Sequence, residues 1–417
     1  MEKTSEQLFA EREKRVMDAI HLRIPDMVPV QVSPAYFPAN YAGISFETAY
    51  YDYDGWLAAY KKMLLDFQPD VIQVTGFFPG VVWEMLGPRP MKWPGHGVPS
   101  NHSNQSVEME LMMEDEFDEV LGDATDFMLR KYIPRAFSEL GAFSMLPSMT
   151  SIGRGFNFNA VPVLAEVLAQ PEMAAAIEKM QKAGRELTKW RPKMMEFTKE
   201  LEKIGFPMYN SAGAGAPFDL VSDFLRGMRG AMLDMYRHPD KVHEMCERIV
   251  PDMISGAVTM AKASGNPRIF MALHRGADGF MSIKQFEEFY WPYLKRVILA
   301  LIEEDLTPCI FFEGNYDSRI EYLFEIPKGK ALAHFDSTDI FRAREIMGNH
   351  LCFRGNVPSS LLQTGTPDDV KKYCRKLIDV VGKDGGLMVS ARSSLDEVKP
   401  ENLHAMIDFT HEYGVYN

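Results

Sequence analysis

FFEGNYDSRIEYLFEIPKGKALAHFD, residues 311–336, holds two apolar runs, and each ends on a polar residue. The first run stops at Glu313 and the second at His334. Short apolar runs bounded by turn residues read as buried strands. A carboxylate and an imidazole at neighbouring strand ends leave three readings open. They are two ligands of one metal, an acid/base pair, or a satisfied polar pair under a loop.

Working outward, further runs of this kind lie at 27–32, 70–75, 206–211, 268–274, 350–355 and 386–391, alongside 308–313 and 330–335. Helix-patterned stretches separate them, among them YDGWLAAYKKMLLDF before the second run and SIKQFEEFYWPYLKRVILALIEED between the fourth and fifth. Strands that alternate with helices call for a parallel sheet. Eight of them predict an α/β fold of the (β/α)8 TIM-barrel type. The later runs are continuously apolar, as strands covered on both faces must be. Residues 76–204 exceed a minimal barrel. An insertion of that length, rich in helix pattern, predicts a cap or one wall of the pocket. No Gly-, Ser- or Pro-rich linker and no repeat interrupts the chain, so 1–417 reads as a single domain with an elaborated loop after the second strand.

Bulk composition narrows the function classes. With 417 residues, 46% of them hydrophobic, a large core needs no disulfide or metal staple. A net charge of −13 argues against nucleic acid as a partner, because phosphate binding needs a basic surface. The four cysteines are far apart, which suits a reducing compartment. The N-terminus is charged and no long apolar run exists, so a cytoplasmic protein with no membrane span is expected. The 28 methionines read first as adaptable core filler.

In a barrel the chemistry sits where the strands end. Those ends supply Tyr36, Phe77 and Phe78, Asn210, His274 and Arg275, Glu313 and Asn315, His334 and Asp336, Arg354 and Asn356, and Ser390 with Arg392. His274, Glu313 and His334 end three neighbouring strands, and two imidazoles with one carboxylate can bind zinc and leave a position open. His274 is the weaker third ligand; beside Arg275 it could instead give a proton while the arginine holds an anion. The Gly-rich AGAGAPFD, 212–219, matches no dinucleotide or P-loop spacing and reads as a tight strand-to-helix turn. MKWPGHG, 91–97, offers Trp93 and His96 on a loop that could act as a lid.

Several segments carry a family resemblance. EREKRVMDAIHLRIPDMVPV (11–30), GAPFDLVSDFLRG (215–227), LCFRGNVPSSLLQTGTPDDVKKYCRKLID (351–379) and KPENLHAMIDFTHEYG (399–414) resemble the uroporphyrinogen decarboxylase superfamily, which includes corrinoid-dependent methyltransferase branches. The resemblance implies a (β/α)8 barrel. True uroporphyrinogen decarboxylases carry RQAGR after the first strand, where this chain reads SPAYFPANYAG. Thiol-methylating relatives carry H-x-C-G after the fifth strand, where Glu313 takes the place of the first cysteine. A branch that demethylates methoxylated aromatics is similar in placing a carboxylate and a histidine as zinc ligands at the separation of Glu313 and His334. Its upstream glutamate falls on Ile298.

The function expected from this resemblance is methyl transfer. The donor would be small, of methoxylated aromatic or methylamine/betaine type, and the acceptor a corrinoid on a partner protein. Zinc on Glu313 and His334, with His274, would act as Lewis acid. Tyr36, Phe77, Phe78, Trp93 and Phe156 would line an apolar pocket. A homodimer is allowed. The rival expectation is a metal-independent decarboxylase or lyase. There His274, Arg275, Arg354 and Arg392 would bind carboxylates, and His334 or Asp336 would move protons.

Overall fold

The structure is a computed structural model and describes residues 3–152 and 157–416. Its centre is a six-stranded, all-parallel sheet in the order β11-β10-β9-β8-β7-β6. These strands are β6 (Ala212–Gly215), β7 (Arg268–Leu273), β8 (Thr307–Phe312), β9 (Leu332–Phe335), β10 (Cys352–Arg354) and β11 (Leu387–Met388). Chain order equals sheet order, and helices or short helical turns make the crossovers, as in βαβ units. A second parallel pair, β1 (Gln31–Val32) and β2 (Val71–Ile72), flanks both ends of this sheet. Gln31 N–H donates to the Val389 carbonyl at 2.9 Å, and Tyr209 N–H donates to the Ile72 carbonyl at 2.8 Å. The architecture is a TIM-barrel-like α/β fold. No single helix among the described residues is long and apolar enough to cross a membrane.

Two expectations about local structure change. The run 206–211 contributes only a bridge at Met208, and the ladder begins instead at Ala212, inside the glycine-rich stretch expected to be a turn. Ser211 explains the shift. Its hydroxyl donates to the Asn266 carbonyl at 2.7 Å and its N–H to Arg268, which aligns Ala212 with Ile269. The MKWPGHG region is ordered as well. It forms a small three-stranded sheet from β3 (Met91–Pro94), β4 (Gly97–Val98) and β5 (Gln105–Ser106). Among the described residues the rest of 76–204 is largely helical and ends in the long helix Pro171–Lys203.

Alternation along the strands sorts the side chains into layers. Ile269, Met271, Ile310, Phe312, Ala333, Phe335 and Phe353 belong to the large cluster packed under the outer helices. The alternate residues face the barrel axis. Cys309, Leu332 and Cys352 lie in register on adjacent strands. With Tyr209, Met388 and Val16, Ala19 and Ile20 of the helix Ser5–Ile20 they fill the lower end. Two residues further on, Phe311, His334 and Arg354 form the next aligned row. Two further still come Glu313, Asp336 and Asn356, at the mouth.

Candidate functional site

Leu273 ends β7, and the next two backbone N–H groups need acceptors. The buried Asp219 carboxylate supplies them. Its oxygens accept from the N–H of His274 at 2.8 Å, the N–H of Arg275 at 2.9 Å and the Tyr290 hydroxyl at 2.7 Å. Burial still pushes this carboxyl up to about 6, against the downward pull of those donors. Asp219 sits in the helix Pro217–Val221, directly after β6, so the short link from that strand carries a carboxylate under the end of β7.

Asp223 follows one helical turn later, on the same side. Its Oδ2 is 2.5 Å from His274 Nδ1, and its Oδ1 is 2.7 Å from Arg275 Nη2. Arg275 also donates to Ser222 Oγ at 2.9 Å and lies over the Phe280 ring. The Asp223 hydrogen bond holds the His274 imidazole above its usual pKa, with the charges of Asp223, Asp219 and Glu313 adding to it and burial opposing. With Nδ1 committed, Nε2 faces the cavity, 3.5 Å from Glu313 Oε2. Asp336 accepts from the Gly314 N–H at 3.0 Å and stands 4.0 Å from Arg392 Nε.

Two cavities meet here. One, of about 740 Å³, is apolar and walled by Phe127, Met128, Leu220, Met245 and Ile249. The other, of about 710 Å³, is more polar and lined by Arg275, Phe280, Glu313 and Asp336. Tyr132, Asp223, Phe224 and His274 line both. The arrangement can bring two bound groups together beside a hydrogen-bonded imidazole whose pKa is raised.

The structure thus unites His274, Arg275, Glu313 and Asp336, with Arg392 beside them. It does not bring His334 to them. His334 is aligned with Phe311 rather than with Glu313, so it lies one row below the mouth. It is 3% exposed and stacks on Phe311, centroids 4.4 Å apart. Among the described residues no three His, Cys, Asp or Glu side chains stand close enough to share a metal ion. The set Glu313, His334, His274 therefore does not fit zinc, and Asp336 takes the level expected of His334.

Several expected substrate contacts are structural. Tyr36 is 2% exposed, stacks between Phe46 and Phe77, and hydrogen-bonds Tyr50 and Asn104. Trp93 is buried, donates to the Tyr51 hydroxyl at 3.2 Å and stacks on His96. Phe78 packs on Trp190. Asn210 donates to the Ala212 carbonyl, and Asn315 pairs with Asp317 in the following loop. Asn356 is buried, donating to the Thr338 carbonyl and accepting from Tyr373. Phe156 lies outside the described residues. The sequence reading missed Asp219, Asp223, Tyr132 and Phe224. Two aspartates four apart in GAPFDLVSDFLRG were the available signal.

The family profile "Uroporphyrinogen decarboxylase (URO-D)" matches residues 141–413. The uroporphyrinogen decarboxylase of Syntrophotalea carbinolica is 23% identical over 276 residues, 64% of this chain and 77% of that one. That of Aromatoleum aromaticum is 24% identical over 211 residues, 48% of this chain and 58% of that one. Among solved structures, a methyltransferase from Methanosarcina mazei superposes with a TM-score of 0.58 at 14% identity, covering 96% of this chain and 98% of that one. The last likeness is one of fold.

Proposed function

The chain belongs to the uroporphyrinogen decarboxylase family, and from that premise we propose that it is a methyltransferase, moving a methyl group from a small, largely apolar donor to a corrinoid carried by a partner protein. The observation that carries this reading is the pair of cavities meeting at His274 and Asp223. Transfer between two bodies needs two berths that meet at the reacting centre. A reaction on one small molecule needs one.

In this reading the donor occupies the apolar cavity and the acceptor approaches from the polar mouth. The corrinoid supplies the nucleophilic metal that takes the methyl group. This chain's own work is to hold the donor and to protonate what the methyl group leaves behind. His274 does so from Nε2, because Asp223 holds Nδ1 and favours the protonated ring. The proton passes to the departing heteroatom, and the imidazole recharges from solvent beside Glu313. A positioned general acid of this kind contributes about 10²–10⁴-fold. No step runs through zinc. We also read β1 and β2 as completing the barrel, with 76–204 as its cap in one domain.

A second reading is metal-independent decarboxylation, favoured by the shared name of the curated relatives. The same His274 would protonate the carbanion. The expected arginine clamp is not assembled, however. Arg275 is neutralised by Asp223, Arg354 lies a row lower, and Arg392 is beside Asp336.

The test is to incubate purified protein with methoxylated and methylamine-type donors and reduced cobalamin, following methylcobalamin by absorbance and carbon dioxide by trapping. Methylation that falls on His274→Ala supports the proposal. Release of carbon dioxide without corrinoid methylation overturns it in favour of the second reading.

A further inference from the structure

Tyr132, Asp223, Phe224 and His274 form the wall shared by the two cavities. Asp223 is engaged by His274 and Arg275, and Phe224 offers no polar atom. Tyr132 is different. Its ring packs with Phe117, Phe127 and Leu225, which holds it in place. Its hydroxyl makes no hydrogen bond with any described residue, and, unlike the Tyr316 hydroxyl, it is not sealed from solvent. Burial raises its pKa above the ordinary 10, so the group keeps its proton and can donate. A half-buried hydroxyl without a protein partner thus stands where the two cavities meet.

The backbone presents this wall by a repeated device. Tyr132 ends the π-helical turn Met128–Tyr132, in which the Ile133 N–H reaches back to the Met128 carbonyl. Asp223 and Phe224 lie in a second such turn, Ser222–Arg226. Tyr290, the hydroxyl donor to Asp219, ends a third, Phe286–Tyr290. An extra residue in a helical turn re-aims the side chains around it, and such turns are frequent at functional sites.

Charges at the inner wall of the apolar cavity are matched. Asp219 is held by three donors, and Asp223 by His274 and Arg275. Arg248 and Asp252, the other charged residues lining it, are exposed and lie one helical turn apart on Pro239–Ser264. A charged guest meets no spare counter-charge on that inner wall. A lone pair meets two donors, the Tyr132 hydroxyl and protonated His274.

We propose that Tyr132 reads the atom from which the methyl group departs, its hydroxyl donating to a neutral oxygen of the methyl donor beside His274 Nε2. Tyr132 is then the residue that selects ethers over ammonium compounds. A methylated amine is a cation at neutral pH; it has no lone pair for Tyr132, and protonated His274 repels it. As the methyl–oxygen bond breaks, its electron pair goes to the oxygen. Tyr132 steadies that developing charge, and His274 supplies the proton that completes an alcohol or phenol. The assignment rests on the methyl-transfer reading for the role of this oxygen as the departing atom.

The experiment titrates the full chain with 2-methoxynaphthalene, its oxygen-free isostere 2-ethylnaphthalene and 2-naphthyltrimethylammonium, reading naphthalene fluorescence. Wild type should bind the ether most tightly. Tyr132→Phe should bind the ether about two- to tenfold more weakly, the range of one neutral hydrogen bond, and the isostere equally well. It should also unfold at the wild-type temperature, because the hydroxyl has no partner in the protein to lose. Gly256 lines the apolar cavity, and a Cβ there meets nothing within 4 Å, so Gly256→Phe adds bulk without a clash and should weaken both neutral probes. Equal changes for ether and isostere in Tyr132→Phe, or none, overturn the assignment. So do a lowered unfolding temperature in that variant, tightest binding of the ammonium, no binding of either neutral probe to wild type, or probes indifferent to Gly256→Phe. The two readings fail separately. Oxygen-selective binding lost in Tyr132→Phe, without corrinoid methylation, keeps Tyr132 assigned and removes methyl transfer. Methylation with no oxygen preference does the reverse.

Discussion

Asp223 Oδ2 lies 2.5 Å from His274 Nδ1, and this one contact orients the imidazole and favours its protonated form. The ring's other nitrogen is thereby turned toward the cavities, and its proton is retained to higher pH than an ordinary histidine's.

Turnover should therefore need protonated His274. The kcat/KM profile is expected to fall as pH rises through a pKa above 6.5, since the folded value is raised. Asp223→Asn should move that limb to lower pH by removing the charge that raises it. His274→Gln should lower kcat by about 10²–10⁴-fold. A limb that stays put in Asp223→Asn would show that another group titrates.

Asp219 gives a stability signature of opposite use. Its folded pKa, about 6, exceeds the ordinary 3.8, so the folded state binds this proton more tightly than the unfolded one. Its contribution therefore falls as pH rises from 3.8 to 6 and stays low above that. The span of roughly 2 units corresponds to about 3 kcal/mol. Urea unfolding of wild type against Asp219→Asn across pH 4–7 should show the difference narrowing as pH rises. A parallel pair of curves contradicts the shift.

At the other end of the barrel, Asp70 is 1% exposed and joins three elements. It accepts from Arg15, from His411 at 2.9 Å and from the Val30 N–H at 2.7 Å. Burial pushes its carboxyl up, but His411, Arg15 and Val30 together hold it below the usual range. Its stabilisation is thus present above pH 3.8 and lost as pH falls through the lowered value. Asp70→Ala leaves a buried arginine partly unpaired and should cost about 3–5 kcal/mol, read by chemical denaturation at pH 7.

Tyr36 is a core residue here, so Tyr36→Phe should act on stability alone. Losing the hydrogen bonds to Tyr50 and Asn104 is expected to cost about 1–3 kcal/mol. KM for the donor should not change. A raised KM with unchanged unfolding would return Tyr36 to the pocket.

Zinc added to the apo-protein should bind no more weakly to His334→Ala than to wild type, because His334 lies a row below Glu313. Equilibrium dialysis reads this directly, and a selective loss in the variant would restore His334 as a ligand.

What the sequence could disclose follows from how each residue is held. The strands β7, β8 and β9 were legible because their apolar runs are long and bounded by turns, and Glu313 follows from where β8 stops. His334 was misplaced for a reason of register. The apolar run continues one residue beyond it to Phe335, and alignment with Phe311 sets its height, which no single strand encodes. The strand β6 was read as a turn because Ala-Gly-Ala-Gly has no β preference of its own. Pairing with β7 imposes it. Asp219 and Asp223 lie in GAPFDLVSDFLRG, which carries only the family resemblance until the tertiary structure places it against the end of β7. The family resemblance located the fold and the mouth, while the partners of His274 emerge only when the chain closes on itself.

The filled lower end of the barrel, with Tyr209, Cys309, Leu332, Cys352 and Met388 under the helix Ser5–Ile20, has a kinetic consequence. The axis is shut at that end, so a molecule bound at the mouth has to leave by the way it came.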